Sequence, residues 1–268
     1  MNFRPDIHIF ADRRALATAL SFHVAQAAQA SSAACGRFCV ALSGGSLMDM
    51  LAPALAAQSL RERIDWSTWH VFWIDERWVP HSSPDSNFGL ARRLLFSRVG
   101  IPEKHIHAVD DSKSPDETAF AYEARIRRTL SVETGEFPRF DMILLGLGED
   151  GHTASLFPGH PALWESRRWV VPVFNAPKPP PVRLTMTLPV INAARQVVFV
   201  AAGSGKAGVV ADVLNPSPGG QSLPARMVKP VNGECHWFVD KDAAAGLPNL
   251  AAVGTRSTIT GEEKERLR

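Results

Sequence analysis

Phe38-Cys39-Val40-Ala41-Leu42-Ser43-Gly44-Gly45-Ser46 joins a short apolar run to a turn of small residues, and a helical pattern begins at Leu47. A β-rich run, a glycine turn and a helix in succession are the opening of an α/β unit. The same grammar recurs along the chain. Strand-like runs stand at 38–42, 70–74, 140–145, 169–174, 196–202 and 236–239, with helical patterns at 13–29, 47–58, 87–99, 116–130 and 206–214. The helix at 116 is announced by Ser114-Pro115-Asp116-Glu117, with a cap, a proline in the first turn and acids at the positive helix end. This alternation predicts a Rossmann-like α/β fold, a mostly parallel sheet with helices on both faces. A single domain over 1–254 and a loose charged tail over 255–268 are expected. The runs NAPKPPP (175–181) and NPSPGG (215–220) read as surface loops within that domain.

Composition narrows the function. Net charge is +2 and the basic residues are scattered, which argues against a nucleic-acid partner. Three cysteines cannot build a disulfide framework and show no zinc-like spacing with histidine, so buried thiols in a reducing compartment are expected. No metal site is expected; His105-x-His107 reads as a solvated pair. The first residues carry no apolar signal region, no run reaches membrane-spanning length, and Arg266-Leu267-Arg268 resembles no anchor. A cytoplasmic protein with no membrane contact and no obligate protein partner is the expectation.

Ligands of open α/β sheets bind beyond the carboxyl ends of the strands, and four such ends carry reactive or cradling residues. These are Ser43–Ser46, Asp75-Glu76-Arg77, the run Gly146–Thr153 and Gly203-Ser204-Gly205-Lys206. In a parallel sheet they share one edge. Gly44, Gly45 and Ser46, entering a helix, suit a phosphate, as does Lys206 in the same setting. Neither loop is a nucleotide P-loop, since Ala207 follows Lys206 where a magnesium-binding hydroxyl belongs. Gly146, Gly148 and Gly151 match a dinucleotide fingerprint, but Glu149 and Asp150 would oppose a pyrophosphate, and Pro158 and Pro161 curtail a helix. His152 suits a general base at neutral pH, with Asp150 two residues before it as an orienting group. A serine nucleophile is not supported, because no G-x-S-x-G elbow is present.

Together these runs resemble a known family. Ala41–Ser46, Asp75-Glu76-Arg77-Trp78-Val79-Pro80, Asp85-Ser86-Asn87, the run from Leu145 to Gly159 (LGLGEDGHTASLFPG) and Lys178–Arg195 are similar to the signatures of 6-phosphogluconolactonases. The resemblance runs in order from about Phe38 to Gly208. It implies the fold shared with glucosamine-6-phosphate deaminase. It also implies hydrolysis of 6-phospho-D-glucono-1,5-lactone to 6-phosphogluconate, a carboxylic ester hydrolysis of the oxidative pentose phosphate pathway, without cofactor or metal. Carried over residue by residue, it makes His152 the base, with Asp150, Asp75 and Arg77 in the catalytic loops. Arg183, Lys206, Gly44, Gly45 and Ser46 become the phosphate site. Many members read Gly-Gly-Ser-Thr-Pro where Leu47 and Met48 follow Ser46 here. Three rivals remain. A glucosamine-6-phosphate deaminase would typically carry a glutamate five residues after the histidine, where this chain has Phe157. A non-catalytic sugar-phosphate-binding protein would keep the basic residues without turnover. A nicotinamide-dependent oxidoreductase comes last.

Overall fold

The structure, a computed structural model, describes residues 3–215 and 223–248. In chain order its elements are β1 (Asp6–Phe10), α1 (Arg13–Cys35), β2 (Phe38–Leu42), α2 (Ser46–Leu55), α3 (Gln58–Arg61), β3 (Trp69–Trp73), β4 (Asp75–Arg77), α4 (Asn87–Ala91), α5 (Pro115–Leu130), β5 (Met142–Gly146), β6 (Val170–Val173), β7 (Arg183–Met186), α6 (Leu188–Ala193), β8 (Gln196–Ala201), α7 (Ala207–Leu214), α8 (Pro224–Met227) and β9 (Glu234–Asp240). The expected tail, 255–268, lies outside the described residues, as does most of the 215–220 loop.

Six strands form one parallel sheet in the order β1-β9-β8-β5-β2-β3. Because side chains alternate along a strand, each strand feeds two cores. Phe38, Val40 and Leu42 of β2 join Trp69, Val71 and Trp73 of β3 beneath Leu16, Leu20 and Val24 of α1. Cys39 and Ala41 instead join Ile143, Leu145 and Phe199 against Tyr122 and Ile126 of α5 and Val210 of α7. Helices therefore cover both faces, as the sequence predicts.

Local signals explain the helix ends. Asp12 caps α1 through a 2.7 Å bond from the Ala15 N–H, and Gly36, at φ +73°, closes it in the left-handed region. Ser114 and Glu117 form the complete capping box of α5. The pattern read as one helix over 87–99 divides into α4 and a π-helical turn, Arg92–Phe96.

Two departures matter. The run at 169–174 does not enter the main sheet; its strand β6 pairs antiparallel with β7, which pairs with β4, in a separate sheet of three. The Asp75–Arg77 stretch is thus a strand rather than a loop, fixed to the core layer carried by Leu184 and Met186. Strand β1 escapes sequence reading because it lies at the sheet edge, where only its pairing with β9 makes it a strand.

Candidate active site

β8, β5, β2 and β3 are successive neighbours in the sheet, so the loops leaving their carboxyl ends do share one edge. Asp150 and His152 lie in the loop after β5. The imidazole Nδ1 is hydrogen-bonded to Asp150 Oδ1, an assignment that makes Nδ1 the protonated nitrogen. Among the described residues Nε2 has no hydrogen-bond partner, and the side chain is 17% exposed.

Gly148 is required by this arrangement. A Cβ there would stand 2.0 Å from His152 Nδ1 and 2.6 Å from Asp150 Oδ1. The loop also bonds to itself, with Gly148 N–H donating to the His152 carbonyl at 2.8 Å and Gly151 N–H to the Gly148 carbonyl at 3.0 Å. No helix follows Gly151, only turns and a short bridge between Thr153 and Leu156. The glycine fingerprint therefore lacks the helix that a dinucleotide site needs.

Burial lowers the pKa of His152, and Lys178 adds to that, while the bond and charge of Asp150, and the charge of Asp75, oppose it. The net direction is down, so the ring is neutral at neutral pH. Partial burial raises Asp150, but its bond to His152 and the nearby Lys178 outweigh that and hold it below the usual aspartate value. Lys178 Nζ lies 3.9 Å from Asp150 Oδ1. On the other side, the Phe157 ring packs 4.6 Å from the imidazole.

The second carboxylate, Asp75, is buried and accepts a 2.8 Å hydrogen bond at Oδ2 from Ser155 Oγ. Asp150, not Asp75, contacts the His152 ring. Arg77 and Arg183 face each other across the β4–β7 ladder. Arg77 Nη1 donates to the Asp85 carbonyl at 2.9 Å, and its Nε has no partner among the described residues.

Arg183, expected at the substrate phosphate, has most of its guanidinium engaged with backbone carbonyls. The residue is buried, with Nε donating to the Pro180 carbonyl at 3.0 Å and Nη2 to those of Lys178 and Pro179 at 2.8 and 3.1 Å. Its remaining Nη1 lies 3.5 Å from Ser155 Oγ. The proline-rich segment leaves these carbonyls without strand partners, and a buried guanidinium satisfies three at once. These bonds tie Arg183 to the segment that places Lys178 beside Asp150.

At the β2 end, Gly45 caps α2 with no side-chain bond, so the first N–H groups of that helix are open at its positive end. Gly44 makes room for Asn87, whose amide oxygen would lie 1.9 Å from any Cβ there. Asn87 Nδ2 donates to the Asp75 carbonyl at 2.8 Å, while Asn87 Oδ1 and Ser43 Oγ are buried without partners among the described residues. Lys206 is half-buried at the entry to α7. Its loop is pinned by Asp240, whose carboxylate accepts from the Gly203 N–H at 3.0 Å.

Glu76, between two candidate site residues, has another task. Its buried carboxylate accepts from the N–H groups of Arg77, Asn87 and Phe88 at 2.7 to 2.8 Å, capping α4. Burial raises its pKa against those bonds. Ser43, Glu76, Asn87, Ser155, Lys178 and Asp240 were not singled out by sequence reading. All but Asp240 lie within the runs that carry the family resemblance, which is the signal that could have found them. His107 also differs from expectation. It is buried against Phe72 and His70 rather than solvated. Among the described residues no cluster of three metal-ligating side chains is present, and no helix is long and apolar enough to cross a membrane.

Residues 11–237 match the model of the family described as glucosamine-6-phosphate isomerases/6-phosphogluconolactonase. The chain belongs to that family. Within the family its relatives sit on the lactonase, carboxylic-ester-hydrolase side. A probable 6-phosphogluconolactonase of Arabidopsis thaliana is 42% identical over 91% of this chain and 94% of its own. A probable chloroplastic 6-phosphogluconolactonase of Oryza sativa is also 42% identical, over 91% of this chain and 77% of its own. The 6-phosphogluconolactonase structure from Trypanosoma cruzi superposes with TM-score 0.82 at 32% identity, covering 94% of this chain and 98% of that one. A monomeric glucosamine-6-phosphate deaminase shares the family fold at TM-score 0.74 and 17% identity, covering 90% of this chain and 99% of that one.

Proposed function

We propose that this protein hydrolyses 6-phospho-D-glucono-1,5-lactone to 6-phospho-D-gluconate, with His152 as the base that activates water. The observation that carries the mechanism is the Asp150–His152 pair, which protonates Nδ1 and leaves Nε2 as an unshared acceptor. In this mechanism Nε2 takes a proton from water as the oxygen attacks the lactone carbonyl. The imidazolium, stabilised by Asp150, then returns the proton to the ring oxygen as the C–O bond breaks. Negative charge developing on the carbonyl oxygen calls for preorganised donors. Gly148 and Gly151 have spent their N–H groups within the loop, so Arg77 and the N–H groups of Glu149 and Asp150 are the donors in this reading.

The substrate phosphate binds away from the reacting carbon, at Lys206 and the open N–H groups that follow Gly45 and Ser46. Its grip holds the lactone in place, so that remote binding energy serves the chemical step. Phe157 weighs against the deaminase alternative, because an apolar ring lies beside the histidine at the position where that chemistry would place an acid.

The test is to generate the lactone in situ with glucose-6-phosphate dehydrogenase and follow acid release. Acceleration by wild type and not by His152→Ala is the expected result. A rate no faster than spontaneous opening would refute the lactonase reading, and glucosamine 6-phosphate turnover would then be measured.

A further inference from the structure

A second concentration of cationic side chains lies at the other end of β3. A recess of about 530 Å³ is lined there by His70, Lys104, His107, Arg125 and Arg128, with Glu103 as its one carboxylate. Glu103 is paired with Arg92 at 3.7 Å. Arg125 spends one N–H on the Ala108 carbonyl at 3.2 Å. Lys104 and Arg128 have neither a hydrogen bond nor a carboxylate partner among the described residues. The last turn of α5 accounts for Arg128, since a cation there complements the helix dipole. It does not account for Lys104, which lies on another segment, or for Arg125, which stands further back on the helix.

The recess also has a built imidazole wall. His105 stacks on His70 at 4.0 Å, His70 Nδ1 and His107 Nε2 lie 3.2 Å apart, and Phe72 backs His107 at 4.1 Å. His105 stands behind that wall, its Nδ1 buried with no partner among the described residues. Burial first, then the surrounding cations, press His70 down to about 4 and His107 down to about 3. Lys104, Arg125 and Arg128 are among the charges that oppose protonation of these two rings.

We propose that this recess is a second anion site that takes the phosphoryl group of a small metabolite. Two guanidinium forks and an ammonium around one concavity suit a doubly charged group with three free oxygens better than a carboxylate. The site is separate from the catalytic edge. His70 precedes Asp75 by five residues on an extended stretch, roughly 16 Å at the rise of a strand.

The experiment titrates wild-type protein and the Arg125→Gln/Arg128→Gln double variant with inorganic phosphate, pyrophosphate and 6-phosphogluconate at constant ionic strength. Calorimetry and histidine ring NMR are the readouts. The expected result is a shift of the His70 and His107 signals on binding, and at least tenfold weaker binding at this site in the double variant. Lactone hydrolysis should stay unchanged. Preference for pyrophosphate over 6-phosphogluconate would mean that the phosphoryl group alone is read, and the reverse that an attached sugar acid is read too. Anions that shift only His152, chloride that produces the same His70 and His107 shifts, or unweakened binding by the double variant would overturn the proposal. Lys104→Gln, in a separate segment, keeps the test decisive if the double variant does not fold.

Discussion

Asp75 Oδ2 accepts a 2.8 Å hydrogen bond from Ser155 Oγ, so the second carboxylate of the site is tied to the loop after β5 rather than to the imidazole. Among the described residues Asp150 is the hydrogen-bond partner of the His152 ring. The two acids therefore divide the work, one bonding the imidazole Nδ1 and the other joining the small antiparallel sheet to the loop after β5.

Replacing His152 by Ala should lower kcat by roughly 10²-fold or more, the usual scale for loss of a general base. Asp150→Asn keeps the shape but loses the carboxylate that fixes Nδ1–H, and should also lower kcat strongly. Single-turnover rates on freshly generated lactone would check both. Turnover near wild type in either would remove that residue from the mechanism.

Gly148→Ala should abolish most activity while leaving the fold intact. The added methyl would meet His152 Nδ1 at 2.0 Å and push the ring out of its bond with Asp150. The check is a normal thermal unfolding curve together with a loss of turnover comparable to that of His152→Ala.

The acid limb of the pH profile should fall below the ordinary histidine value of about 6.5, because burial lowers His152. Lys178 disfavours the imidazolium, so Lys178→Met should move that limb to higher pH. The dependence of kcat/KM on pH would show it, and an unmoved limb would place Lys178 outside the electrostatics of the base.

Lys206→Ala should chiefly raise KM, by about tenfold or more, on the scale of one charge-assisted hydrogen bond. Arg183→Met should behave differently. It leaves the carbonyls of Lys178, Pro179 and Pro180 unsatisfied, and should cost roughly 2–4 kcal/mol of stability along with kcat. A pure KM effect at Arg183 with unchanged stability would restore it as a phosphate ligand.

Acid should destabilise the protein well above the carboxylate range. Burial lowers His23 and His70 to about 4 and His107 to about 3. Between about 6.5 and those values the unfolded chain binds protons that the folded chain refuses. The stability these residues provide at neutral pH is therefore lost as pH falls through that window. Urea midpoints between about pH 7 and pH 4 should decline, and His107→Phe should flatten the decline.

Much of the fold was legible because parallel strands buried on both faces must be apolar throughout. The run 38–42 could hardly be read otherwise, and its observed bounds are the same. The four loops at the carboxyl edge followed from chain direction alone, since parallel strands place their ends together. By contrast, β4 is three residues long and largely polar, and β1 is an edge strand. Each is made by a partner more than a hundred residues away, β7 and β9 respectively. Periodicity within such a short segment has no access to that partner.

The site divides in the same way. Asp150 and His152 are two residues apart, so local chemistry suffices to suggest their pairing. The sequence by itself determined the alternating α/β architecture, the shared edge and the residue types available for acid–base and phosphate chemistry. Only the tertiary structure decided how they are used: that Arg183 is spent on backbone carbonyls, that Glu76 caps a helix, and that Gly148 is the space the imidazole needs. The reason is burial. Each polar group withdrawn from water must find a partner, and long-range packing, rather than neighbouring residues, determines which groups are withdrawn and what they meet.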